Sequence, residues 1–183
     1  LLPVTAPTDE ASRSRPAFED QMKKFAMFGQ NRLFGDYADL IHALGGVLSR
    51  VVVNVPDRSR KGEKTFAQRL EDYQGWLATK SIPHRAAVVD LSDFRPDPEE
   101  TCLLGFRGLS SRPLRERLKQ EFGIVFPALV HPTANVSPFA ETQEGSVICA
   151  GATLASWAVV GPFSIVNRNA SVGHDSTIQA DVD

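Results

Sequence analysis

Cysteine is scarce in this chain of 183 residues, which has only two, Cys102 and Cys149. Both lie in apolar, strand-like contexts far apart in the sequence, so we expect buried free thiols rather than a disulfide, as in a cytoplasmic protein. The net charge of −2 and the lack of a basic stripe give no basis for binding nucleic acid. No apolar run approaches the roughly 18 residues of a membrane span.

The segment from Val130 to Asp183 repeats in nine blocks of six residues. Eight of the nine first positions are aliphatic, and eight of the nine fifth positions are Ala or Ser. A period of about 3.6 for a helix, or 2 for a simple strand, does not explain a strict six. A stack of parallel β-coils does, with three short strands in each turn. The pattern therefore predicts three coils, with the aliphatic residue inside and the small residue near a corner.

The segment from residue 22 to residue 128 alternates between strand-like and helix-like stretches. Strands are predicted at 24–28, 47–55, 85–91 and 101–106, and helices at 36–44, 66–80 and 112–122. This alternation predicts an α/β domain with a small, doubly wound, Rossmann-like sheet. Ligands of such sheets bind beyond the carboxyl ends of the strands, here in the loops 29–35, 54–60 and 105–111.

Three regions follow from these patterns. Residues 1–21 are rich in Pro, Ser and charge and lack the apolar centre of a signal peptide, so we expect a flexible N-terminal extension. Residues 22–128 are the predicted α/β domain, and residues 129–183 are the predicted β-helix. An uncovered coil exposes strand edges and apolar interior, so we expect further coils or a capping helix after Asp183.

The repeating tail resembles that of the hexapeptide-repeat acyltransferases. With its Rossmann-like front half and the segment VNRNASVGHDSTI, the chain is similar to the sialic-acid and bacillosamine-type acetyltransferases, which acetylate nucleotide-linked amino sugars. The resemblance implies a left-handed parallel β-helix and a homotrimer. It also implies acetyl-CoA as the acyl donor and a sugar as the acceptor.

His174 and Asp175 are the predicted catalytic pair. Acyl transfer to an amine or a hydroxyl needs a base to take the proton, and imidazole is suited to this near neutral pH. An adjacent carboxylate orients the ring and stabilises the imidazolium, as it does in catalytic triads. The alternative is a solvated histidine beside a solvated aspartate in a turn. The resemblance favours catalysis.

Asn167 is implied by the resemblance to lie in the acceptor cleft, with Arg168 and Asn169 as its neighbours. The alternative for Asn167 is a turn or ladder asparagine within the coil. No metal site is predicted, and a zinc site in particular is not expected. The tail has two histidines, His131 and His174, whose separation is not a multiple of eighteen residues, so they occupy different faces of the coil.

The front half supplies the other candidate contacts to substrate. Where the resembling family has a glycine-rich turn, this chain keeps only the first glycine, Gly29, and offers Arg32 as a phosphate contact. The loop with Gly105 and Arg107 follows a strand and precedes a helix. Its two serines, at 110 and 111, are either helix N-caps or part of an anion site.

Three functions remain open at this point. The first is N-acetylation of a nucleotide-linked amino sugar by acetyl-CoA. The second is O-acetylation of a saccharide or small-molecule hydroxyl, which the missing glycine-rich turn favours somewhat. The third is a non-catalytic β-helix that serves as an assembly module.

Overall fold

A computed structural model describes residues 22–29, 33–54 and 59–182 of the chain. The predicted extension at residues 1–21 lies outside this range. Within the described residues, a four-stranded parallel sheet with three α-helices precedes nine strands of two residues each. No helix in this part of the chain is long and apolar enough to cross a membrane.

The first part of the chain is a parallel α/β unit. Its strands are β1 (Lys23–Phe28), β2 (Gly46–Val53), β3 (Ala87–Asp90) and β4 (Glu100–Leu104), and its helices are α1 (Phe34–Ala43), α2 (Phe66–Thr79) and α3 (Arg112–Phe122). The strand order is β3-β2-β1-β4. All seven predicted elements are present, with ends within two residues of the prediction. The finer assignment of this unit as Rossmann-like stays a prediction.

The sheet carries helices on both faces because alternate residues of a strand point in opposite directions. Phe25 and Met27 of β1 belong to the hydrophobic cluster that contains α1 and α2. Ala26 and Phe28 belong to the cluster that contains α3. Burial of both faces explains why the strands read as nearly continuous apolar runs.

The second part is a parallel β-helix. Its strands are β5 (Leu129–Val130), β6 (Asn135–Val136), β7 (Glu141–Thr142), β8 (Val147–Ile148), β9 (Thr153–Leu154), β10 (Val159–Val160), β11 (Ile165–Val166), β12 (Ser171–Val172) and β13 (Thr177–Ile178). They form three sheets, β11-β8-β5, β12-β9-β6 and β13-β10-β7. Paired residues are eighteen positions apart, so the predicted three coils are confirmed. The arrangement fits a left-handed β-helix.

The interior of the coils follows the six-residue pattern. In the middle coil, the aliphatic residues Ile148, Leu154 and Val160 are at most 1% exposed. The small residues Ala152 and Ala158 are fully buried beside them. The close stacking leaves no room for a larger side chain at the fifth position, which explains its restriction to small residues.

The fourth position of seven consecutive blocks has a left-handed backbone, with φ between 56° and 68°. Glycine adopts this conformation without strain, whereas other residues do so at a cost. Only two of the seven are glycine, and the others are Trp157, Phe163, Asn169, Asp175 and Asp181. The corners are therefore set by the stacking of the coils and not by glycine alone.

One of the three sheets of the β-helix packs against the α/β unit. Its outward residues, Leu129, Val147 and Ile165, are 6%, 2% and 7% exposed. They share a hydrophobic cluster with Phe25 and Met27 of β1. The other two sheets present mostly polar residues outward: Asn135, Thr153 and Ser171 on one, and Glu141, Val159 and Thr177 on the other. We call the sheet β5-β8-β11 the docking face.

Asp181 ties the last described coil to α3. Its carboxylate, 2% exposed, accepts hydrogen bonds from Arg115 and from Arg112, the latter at 2.8 Å. The Arg115 guanidinium in turn lies 4.0 Å from the centre of the Phe163 ring. These hydrogen bonds, above all that from Arg115, hold the pKa of Asp181 down to about 2.

We expect Asp181→Asn to lower the free energy of unfolding by about 3 kcal/mol at pH 7, because it leaves Arg115 buried without its counter-charge. The folded pKa lies below the usual carboxylate value of about 4, so this stabilisation is present above pH 4 and is lost as the pH falls towards 2. Urea unfolding at several pH values measures this free energy and its dependence on pH.

The control is Glu121→Gln, which breaks the exposed pair with Arg117 and should lower the free energy of unfolding by less than about 1 kcal/mol. Equal losses of unfolding free energy in the two variants would contradict a stabilising buried ion pair between Asp181 and Arg115.

Candidate functional site

The coils have three corners, and two of them face the α/β unit. At the α1 corner, Arg168 pairs with Asp36 of α1; this corner consists of residues 131–134, 149–152 and 167–170. At the α3 corner, Asp181 pairs with Arg112 and Arg115 of α3; this corner consists of residues 143–146, 161–164 and 179–182. We call the third corner the open corner; it consists of residues 137–140, 155–158 and 173–176. His174 and Asp175 lie there.

The predicted catalytic pair is assembled at the open corner. The Nδ1 atom of His174 lies 2.8 Å from Oδ2 of Asp175, and the two side chains are 81% and 68% exposed. Because the carboxylate is the acceptor, Nδ1 carries the proton and Nε2 is left free to accept one. Asp175 has φ of 56°, and its N–H donates to the Ser156 carbonyl of the coil below at 3.1 Å. The turn therefore fixes the carboxylate beside the ring.

The residues predicted to bind the acceptor sugar lie at the α1 corner, which precedes the open corner in the same coil. Asn167, Arg168 and Asn169 are all exposed. The guanidinium of Arg168 is hydrogen-bonded to Asp36, so in this structure it joins the β-helix to α1. The strand β12 (Ser171–Val172) separates the corner that holds Asn167 from the corner that holds His174. A role of these three residues in acceptor binding stays a prediction.

The ends of β1, β2 and β4 bring Gly29, Asn54 and Gly105 close together. A Cβ on Gly29, which has φ of 72°, would lie 2.5 Å from the Phe106 ring, and a Cβ on Gly105 would meet the carbonyl oxygen of Gly29. Both glycines are thus required by close packing. Nearby, the Oδ1 atom of Asn54 is buried and has no hydrogen-bond partner among the residues that the structure describes. A buried acceptor without a partner at this edge is suited to a ligand donor. Arg32 lies outside the described residues.

Arg107 has a different environment from the one that the loop motif suggested. It is 8% exposed, its Nε donates to the Tyr37 hydroxyl at 2.7 Å, and Nη1 donates to the Gly145 carbonyl at 2.6 Å. These contacts join α1, the loop after β4 and a turn of the β-helix. The Ser111 hydroxyl donates to the Gly108 carbonyl and does not cap α3. A contact of Arg107 with substrate stays a prediction.

The two cysteines are free, as predicted, and neither is a ready nucleophile. Burial raises the pKa of the Cys102 thiol to about 11, and burial also raises the pKa of Cys149. Cys149 is only half-buried, in contrast to the full burial expected for both. Reactive cysteines have lowered pKa values, so covalent catalysis by a thiol is disfavoured here. No cluster of three metal-ligating side chains occurs in the part of the chain that the structure describes.

A groove of about 390 Å³ lies between α1 and α2. Its lining includes Phe34, Trp76, Lys64, Arg69 and Asp72. None of the described residues predicted as site residues lines it. The groove is therefore separate from the open corner.

The fold defines a class of protein in which a parallel β-helix follows a parallel α/β unit. No protein-family model and no curated sequence matches the chain. Solved structures with the same fold are acetyltransferases. The acetyltransferase domain of PglB from Neisseria gonorrhoeae matches with a TM-score of 0.60 and 24% identity over 86% of this chain and 68% of that chain. The same domain has been solved in complex with acetyl coenzyme A, and it matches with a TM-score of 0.58 at 24% identity.

Perosamine N-acetyltransferase from Caulobacter crescentus is similar in the same way. A variant with asparagine in place of a histidine, in complex with CoA and GDP-perosamine, matches with a TM-score of 0.59 and 17% identity over 85% of this chain and 65% of that chain. The chain thus spans about two thirds of the length of these structures. At such identities the likeness shows a shared fold.

Proposed function

We propose that the chain belongs to an acetyl-CoA-dependent acyltransferase that acetylates the amino group of a nucleotide-linked sugar. The observation that carries the proposal is the 2.8 Å contact between His174 and Asp175 at the open corner of the β-helix. Acetyltransferases that share the fold support it, since the PglB domain binds acetyl coenzyme A and perosamine N-acetyltransferase binds CoA and GDP-perosamine.

The chemistry follows from the geometry of the pair. Asp175 accepts a hydrogen bond from the Nδ1–H of His174, which keeps Nε2 available as the base. Nε2 removes a proton from the amine as its nitrogen forms a bond to the acetyl carbonyl carbon. Acetyl-CoA supplies the activated acetyl group. His174 then gives the proton to the departing sulfur, so that free CoA and an amide are the products.

The open corner needs a second surface to become a closed site. His174 and Asp175 are mostly exposed, whereas acyl transfer benefits from exclusion of water around the reacting groups. The other two corners are taken up by the α/β unit of the same chain. We therefore propose a homotrimer in which a neighbouring copy covers this corner, and acetyl-CoA lies in the groove between the copies.

The nucleotide end of the acceptor is assigned to the ends of β1, β2 and β4. Gly29 and Gly105 let two strand ends approach closely. The buried Oδ1 atom of Asn54, which has no partner within the described ranges, offers an acceptor for a donor group of the ligand.

We expect the full-length protein to release CoA from acetyl-CoA in the presence of at least one UDP-, GDP- or dTDP-linked 4-amino sugar. Thiol release is followed with a chromogenic disulfide, and the acetylated product is identified by mass spectrometry. The matched control is the same nucleotide sugar with a hydroxyl in place of the amine. Turnover of only the hydroxyl compound would establish O-acetylation instead. No turnover with either would overturn the acyltransferase proposal.

A further inference from the structure

Two large aromatic side chains are exposed and stacked at the open corner. The rings of Phe139 and Trp157 have their centroids 5.6 Å apart and their planes 21° from parallel. The two residues are 63% and 60% exposed. Aromatic rings of this size are usually buried in a folded chain, so two adjacent exposed rings indicate a surface that is used.

The two rings lie in one column with the proposed catalytic pair. Phe139, Trp157 and Asp175 occupy the fourth position of their blocks, eighteen residues apart, so they lie at the same corner of successive coils. Neighbouring strands are about 4.8 Å apart, which sets the spacing between coils. The hydrogen bond from the Asp175 N–H to the Ser156 carbonyl, next to Trp157, fixes this register. The aromatic surface is thus continuous with His174 and Asp175.

We propose that Phe139 and Trp157 form a platform on which the sugar ring of the acceptor stacks, so that its amino group is presented to His174. This inference rests on the proposed function. The faces of aromatic rings carry partial negative charge, which attracts the polarised C–H groups of a pyranose. The indole of Trp157 offers the larger face of the two.

The polar groups around the platform suit a sugar as well. The hydroxyls of Ser137 and Ser156 lie 3.2 Å apart at the same corner and can donate to or accept from sugar hydroxyls. The Asp175 carboxylate lies on the coil above and can accept a hydrogen bond from a sugar hydroxyl or from the neutral amine. Each serine hydroxyl has one donor and two acceptor positions and so keeps hydrogen-bonding capacity beyond the contact between the two serines, which favours a sugar as the occupant.

Fluorescence provides a test of binding that is independent of turnover. The chain has two tryptophans, Trp76 and Trp157, so Trp76→Phe leaves Trp157 as the only one. We expect the nucleotide-linked amino sugar, without acetyl-CoA, to change the emission of this variant in a saturable way. The matched control is Trp157→Phe, which keeps only Trp76 and should not respond. A response of the control alone, or of neither variant, would overturn the platform.

Kinetics supply the second readout. We expect Trp157→Ala to raise the KM for the acceptor about tenfold and to leave the KM for acetyl-CoA within about twofold, while Trp157→Phe keeps most of the affinity. Light scattering gives the mass of each variant. Dissociation of the oligomer by Trp157→Ala with an unchanged acceptor response would make the rings a subunit contact and would overturn the proposal. If the wild type does not turn over, the acyltransferase proposal fails, and the fluorescence titration alone decides on the platform.

Discussion

Replacing His174 with alanine is expected to lower kcat for acetyl transfer by about a thousandfold, with the KM of each substrate changed by less than about threefold. The side chain is 81% exposed, and among the described residues its ring is hydrogen-bonded to Asp175, so its removal costs little stability. A loss confined to kcat is what the removal of a proton acceptor produces. Thiol release under saturating substrates measures it.

Asp175→Asn is the companion variant. The amide oxygen can still accept a hydrogen bond from Nδ1–H, but the side chain no longer carries the charge that stabilises the imidazolium, so we expect a smaller loss, about ten- to a hundredfold in kcat. The order of the two losses is the test. A His174→Ala variant within about threefold of the wild type would show that the pair is a solvated turn and not the catalytic centre. Circular dichroism of both variants checks that the coils are intact.

Much of the β-helix was predictable because its six-residue pattern is set by packing inside one coil. The aliphatic and small positions fill a prism of fixed size, so each block predicts its own strand and corner. What the pattern did not predict was the orientation of the coils relative to the α/β unit. A signal for it exists in the sequence, since Leu129, Val147 and Ile165 are apolar outward residues at intervals of eighteen, on a single sheet.

The candidate site was predictable only in part. His174 and Asp175 are neighbours in the sequence, so a local turn was enough to bring them together. Arg107 could not be placed in the same way, because its partners, Tyr37 and Gly145, come from distant segments. The Phe139 and Trp157 stack likewise depends on the pairing of residues eighteen positions apart. The signal in the sequence for this stack is the recurrence of a large aromatic residue at the same block position after eighteen residues.

Val147→Asp is expected to lower the free energy of unfolding by about 4 kcal/mol. Val147 is 2% exposed at the centre of the docking face, between Leu129 and Ile165. The change removes a buried aliphatic side chain, worth about 2 kcal/mol, and places an unpaired carboxylate in an apolar contact. Urea unfolding followed by fluorescence and circular dichroism measures the loss.

The matched control is Val159→Asp, the same substitution at the outward position of the same coil on another sheet. Val159 is half-buried and faces away from the α/β unit, so we expect a loss of about 1 kcal/mol or less. Equal losses would show that the docking face contributes no more than any outward position. A larger loss for Val147→Asp, with both probes moving together, would show that the two parts share one core. The α/β unit and His174 would then be held in a fixed relation, as delivery of a nucleotide-linked sugar to a catalytic corner requires.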